Sequence, residues 1–74
     1  MYIVYYYSKI SNTNRYLRQI SADHMIYTYD CNMAHRFKAK ILFYFFMRKA
    51  FNWKHSNIKR WLRATNQYII RCNK

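Results

Sequence analysis

Glycine and proline are both absent from this 74-residue chain. Without glycine, tight turns that need φ > 0 fall to asparagine, and the chain has seven. Acid is nearly absent as well: Asp23 and Asp30 are the only acidic residues. Two carboxylates, no Gly-rich phosphate loop and no length to line a pocket argue against an enzyme. His24 beside Asp23 is an adjacent pair, not a triad. Cysteine is limited to Cys31 and Cys72, too few for a disulfide framework, and reduced thiols suit a matrix or cytosolic compartment. Cys31 and His35 stand four apart, with His24, His55 and Cys72 as further possible ligands. No Cys-x-x-Cys pair anchors them, so no metal and no cofactor is expected. The longest uncharged apolar run, Ile41 to Met47, is far short of the about 20 residues that span a bilayer. The first charge is Lys9, so a secretory signal is not expected, and the Tyr-rich start argues against a transit peptide.

What the chain does have is cationic charge, and it is lopsided. Residues 34–74 hold Arg36, Lys38, Lys40, Arg48, Lys49, Lys54, Lys59, Arg60, Arg63, Arg71 and Lys74 and no acid, whereas residues 1–33 set Lys9, Arg15 and Arg18 against Asp23 and Asp30. The net +12 is therefore +1 and +11. An apolar fraction of 53% is too high for a disordered basic tail. A single small domain of this size buries a modest core, and self-repulsion opposes its closure. A subunit that depends on assembly, not an independent compact domain, is the expectation.

Periodicity suggests a mainly α chain. Tyr2–Tyr7 is aromatic and β-branched and reads as an extended segment, with a helical start as runner-up. Ser11, Asn12 and Thr13 are cap types, and Tyr16, Leu17 and Ile20 lie at helical spacing, which predicts a short helix over about 14–21. Met25–Tyr29 reads as extended and could pair with the first segment. A long helix is predicted over about 33–55, with Leu42, Phe43 and Phe46 on one face and Ile41, Tyr44 and Phe45 on the other. A small monomer can hardly cover both faces, so a neighbouring molecule is expected on one. Ser56 or Asn57 re-caps the chain, and Ile58, Trp61, Leu62, Thr65, Tyr68, Ile69 and Cys72 predict a second amphipathic helix over about 57–72.

Eleven cations without a balancing acid point to a polyanion. Arg and Lys at helical spacing reach phosphate oxygens. The rings of Tyr44, Phe51, Trp53, Trp61 and Tyr68 lie among them, which favours RNA over duplex DNA. All eleven are taken as candidate RNA contacts. Tyr, Ile, Lys, Asn, Phe and Met, the residues of A/T-rich codons, supply 40 of the 74 positions, as in proteins of A/T-biased organellar genomes. In composition, size and charge the chain resembles the small basic proteins of mitochondrial ribosomes. That resemblance implies a structural subunit in the mitochondrial matrix, filling a crevice in ribosomal RNA and touching neighbouring ribosomal proteins. Two other readings stand beside it. One is an accessory subunit of an inner-membrane respiratory complex that contacts anionic lipid. The other is a small DNA-binding regulator, although a helix-turn-helix usually carries a glycine in its turn.

Overall fold

Alternation, not helical spacing, governs the first third of the chain. In the computed structural model, which describes residues 1–21 and 24–72, Tyr2–Ser8 (β1), Thr13–Ile20 (β2) and Met25–Thr28 (β3) are consecutive antiparallel strands. A 3-10 turn at Cys31–Met33 follows, then helices Lys40–Phe51 (α1) and His55–Ala64 (α2), and the chain returns as strand Tyr68–Arg71 (β4). Among the described residues the strands make one sheet in the order β3-β2-β1-β4.

The mainly α expectation is therefore overturned, and each departure has a local cause. The segment expected as a helix at 14–21 is β2. A turn ending at Asn12, with φ 57°, reverses the chain, and pairing with β1 on one side and β3 on the other outweighs the helical spacing of Tyr16, Leu17 and Ile20. The register slips between Leu17 and Gln19, which keeps Leu17 and Ile20 directed at the core. Met25–Thr28 is extended as expected, but it pairs with β2 and not with β1.

The helix expected from 33 begins only at Lys40. Before it, Phe37 exchanges both backbone hydrogen bonds with Tyr2, at 2.7 and 2.8 Å, and His35 N–H donates to the Leu17 carbonyl at 2.8 Å. Residues 35–37 thus sit as a wedge between β1 and β2, and a helix there would break these pairs. Asn52, with φ 57°, ends α1.

The second helix, expected to run to 72, stops at Ala64. Asn66 takes φ 54°, its N–H reaches the Arg63 carbonyl at 3.2 Å, and the Gln67 N–H reaches Leu62 at 2.9 Å. This is a Schellman ending with asparagine in the place glycine usually takes. The residues beyond it join the sheet, where Ile69 faces Val4 and Ile70 faces Ile3 across β-branched pairs. All positive-φ residues among those described are asparagines, Asn12, Asn52 and Asn66, as the lack of glycine predicts.

The helices lie against one face of the sheet. Val4 and Leu17 from the strands meet Phe37, Phe43, Met47, Ile58 and Leu62 in one buried cluster, with Tyr2, Tyr27 and Ile69 packed around it. Each such side chain contributes about 1.5–3 kcal/mol when fully buried. Both halves of the chain build this core. The radius of gyration, 11.8 Å, is close to the about 11.3 Å expected of a folded 74-residue domain. The expectation of a chain that is not an independent compact domain is overturned with the rest: the +1 segment supplies three of the four strands, and most of the described cations are exposed, with Arg15 and Arg36 half-buried.

Candidate nucleic-acid interface

Helix α2 sorts its side chains sharply. Ile58 and Leu62 are buried and Trp61 is half-buried, while Lys59, Arg60 and Arg63 are exposed. The amino end of α2 carries no acidic residue in its first turn and no side-chain cap, and Lys54 and His55 stand there instead. Cations at the positive pole of a helix are electrostatically unfavourable. An anion placed there would relieve both the pole and the side chains.

A cleft of about 480 Å³ opens at this point, lined by Arg48, Asn52, Trp53, Lys54 and His55. Arg48 comes from the last turn of α1, where it also complements the negative pole of that helix. His55 stacks on Tyr44, with ring centroids 4.0 Å apart and planes 20° apart. Partial burial pushes the Tyr44 phenol pKa up, so the ring stays neutral at physiological pH. A second cleft, of about 380 Å³, adjoins through Trp53 and is lined further by Asn57, Arg60, Trp61 and Ala64. The Trp53 and Trp61 rings stand 5.8 Å apart, and Phe51 stacks on Trp53 at 5.2 Å. The junction of the two helices therefore offers cations that reach phosphate and rings that reach bases, side by side.

The sequence-selected cations divide accordingly. Arg48, Lys54, Lys59, Arg60 and Arg63 gather on α2 and its junction with α1. Lys49 is exposed on α1 but lines grooves beside Phe45 and Phe46. Lys38 is exposed in the approach to α1, and the Lys40 ammonium sits 5.8 Å from the centre of the Tyr2 ring. Arg36 is half-buried and donates to the carbonyls of Cys31, Asn32 and Ala34, so its guanidinium holds the 3-10 turn together. Arg71 is exposed on β4 and does not continue the stripe of α2. Lys74 lies outside the described residues, as does Asp23.

The interleaved aromatics also divide. Tyr44, Phe51, Trp53 and Trp61 pack around the core from the helical side, whereas Tyr68 belongs to β4. The two apolar faces expected on the long helix are divided differently: Phe43 and Met47 are buried, Leu42 and Tyr44 pack beside them, and Ile41, Phe45 and Phe46, drawn from both expected faces, are exposed on α1. Sequence reasoning missed a row of tyrosines on the sheet. Tyr16, Tyr5 and Tyr68 face one another across β2, β1 and β4, with ring centroids 6.3 and 5.8 Å apart. The alternation in Tyr2–Ser8 carries part of that signal, but Tyr16 and Tyr68 join the row only because Thr13–Ile20 and Tyr68–Arg71 are strands, which their helical spacing hides.

Among the described residues no group of three or more His, Cys, Asp or Glu is placed to hold a metal ion, and no helix is long and apolar enough to cross a membrane. Compared with protein-family models, curated proteins and solved structures, the chain matches none.

Proposed function

We propose that this protein is a non-enzymatic RNA-binding subunit of a large ribonucleoprotein, and that the mitochondrial ribosome is the particle its composition fits best. The observation that carries the proposal is the cluster at the α1–α2 junction. Arg48, Lys54, Lys59, Arg60 and Arg63 stand there beside Trp53 and Trp61, in a half of the chain that has no acid to neutralise them. Phosphates would be held by the cations, and bases would lie against the indoles. Lys38, Lys40, Lys49, Arg71 and Lys74 would add outlying backbone contacts. The exposed Ile41, Phe45 and Phe46 would meet a neighbouring protein of the particle.

The same exposed apolar residues, beside Lys49, support a second reading: an accessory subunit of an inner-membrane respiratory complex that rests on anionic headgroups. Sedimentation of a native extract separates the two. The proposal expects the protein in a heavy nucleic-acid-containing particle from which ribonuclease releases it. Release by detergent, with indifference to ribonuclease, refutes it and favours the lipid reading. A free dimer that selects spaced half-sites in duplex DNA refutes both and favours a DNA-binding regulator.

A further inference from the structure

We infer that the sheet face opposite the helices is a stacking platform for unpaired bases, so that the RNA is single-stranded where it crosses β2, β1 and β4. This inference rests on the RNA-binding reading above and names the form of RNA that reading leaves open.

On the helical side the Tyr27 hydroxyl donates to Gln67 at 2.8 Å, and the Tyr6 hydroxyl accepts from the Arg15 guanidinium at 3.3 Å. On the opposite side, Tyr16, Tyr5 and Tyr68 form a row across three adjacent strands, and their hydroxyls have no partner among the described residues. The rings are tilted by 33° and 37° to their neighbours, not closed into a sandwich. Tyr68 is 54% exposed, Tyr5 and Tyr16 are half-buried, and Tyr7, farther along the same face, is exposed with its hydroxyl donated to Asn12. The core, by contrast, takes phenylalanine, with Phe37 and Phe43 nearly or fully buried. A ring with a polar tip is placed where one end is meant to be wet.

Charge decides what covers these rings. None of the four strands contains Asp or Glu. Arg15 and Arg71 align with Tyr6 and Tyr2 on the helical side, which leaves Arg18, at the bulge of β2, and Lys9, in the turn after β1, as the exposed cations beside the tyrosine row. An apolar protein surface would match the rings and leave these cations unanswered. A single nucleic-acid strand answers both, with π faces for the tyrosines and phosphates for Arg18 and Lys9. A strand spacing of about 4.8 Å makes the row about 10 Å from Tyr16 to Tyr68, room for two or three bases. A duplex presents no unstacked base to such a row.

The test uses the full chain with a fluorescently labelled 12-nucleotide oligouridylate and a 12-base-pair RNA duplex, read by anisotropy. The expected result is that Tyr68→Ala weakens oligouridylate binding by about 5- to 150-fold while Tyr68→Phe stays near wild type. Duplex binding and the salt dependence should be unchanged in both variants. Photocrosslinking of the wild type to a 4-thiouridine oligonucleotide supplies a readout that needs no substitution, with adducts expected on peptides carrying Tyr5, Tyr16 or Tyr68. Crosslinks confined to the α1–α2 junction, with Tyr68→Ala within twofold of wild type, would overturn the platform and leave the RNA-binding reading standing. So would a salt-stable dimer formed through this face in the absence of RNA. A wild type that binds neither probe overturns the RNA-binding reading, and the platform falls with it.

Discussion

Replacing Lys59, Arg60 and Arg63 together by glutamine should flatten the salt dependence of RNA binding by a calculable amount. The three side chains are exposed on α2, and the buried Ile58 and Leu62 that anchor the helix are untouched. The fold should therefore persist, and less self-repulsion should leave it no less stable. Five cations gather at the α2 surface and its junction: Arg48, Lys54, Lys59, Arg60 and Arg63. At about 0.7 per phosphate contact on a single strand, these five contribute about −3.5 to the slope of log K against log salt. Raising salt from 50 to 200 mM would weaken wild-type binding by about 130-fold through this cluster alone. With two of the five left, the cluster's share of the slope should fall to about −1.4 and its share of the loss to about 7-fold, whatever the outlying cations add to both proteins. Anisotropy titrations at four salt concentrations measure both lines. A variant slope equal to that of the wild type would show that these three residues do not neutralise phosphate. The α2 surface would then be solvated, and the proposed interface would be wrong even if the protein binds RNA elsewhere.

Three further perturbations test the fold that holds the interface. Phe43 is fully buried and its ring meets Phe37 at 5.7 Å, so Phe43→Ala should cost about 3–5 kcal/mol. Measured by urea unfolding without RNA, that is a large share of the about 4–11 kcal/mol expected of 74 residues, and the absence of any cooperative transition in the wild type would refute an autonomous domain. Asn66 holds φ 54° at the end of α2, so Asn66→Ala should lose about 1 kcal/mol while Asn66→Gly stays within a few tenths; equal losses would show that the left-handed cap is not what stops the helix. Burial against Phe37 and Phe46 lowers the His35 pKa from its usual 6.5, so the folded state favours neutral imidazole. The stability this contributes is present above about pH 6.5 and is lost as pH falls through the lowered value. The urea midpoint should decline below about pH 6.5 in wild type and decline less in His35→Gln; parallel profiles would refute this cause.

Much of the backbone plan was legible at single residues and illegible at the level of elements. Asparagine replaced glycine at three positive-φ positions, an inference that needed only composition. Tyr2–Tyr7 read correctly as extended, because its β-branched and aromatic residues suit a pleated surface. Thr13–Ile20 did not, because Tyr16, Leu17 and Ile20 fit a helix as well as a bulged strand does, and the bulge after Leu17 is what makes the spacing ambiguous. The stretch after Ala64 failed in the same way. Asn66 was a stop signal in plain sight, but Tyr68, Ile69 and Cys72 prolonged the period of Ile58, Trp61 and Leu62. The strand Tyr68–Arg71 pairs with residues more than sixty positions earlier, a contact no local pattern encodes. The site followed suit. That Lys59, Arg60 and Arg63 are outward was readable from one helix, whereas Arg36 holding three carbonyls and Arg71 lying on a strand depend on the tertiary fold.

The unequal charge of the two halves explains how so basic a chain closes at all. The first 33 residues carry a net +1 and build β1, β2 and β3, so the sheet is assembled where repulsion is weak. The +11 half adds apolar groups to that sheet through Phe37, Phe43, Met47, Ile58 and Leu62 and leaves most of its cations at the surface, where water and salt screen them. Phosphate is then not needed to create the fold. Under the proposed function it would act on a fold already present, and by mass action it would add about 2.7 kcal/mol with free RNA at 100 times the dissociation constant. For a domain of this size that increment is a substantial fraction of its own stability. Under the proposed function, the same cations that weaken the free protein would thus make the bound one firmer.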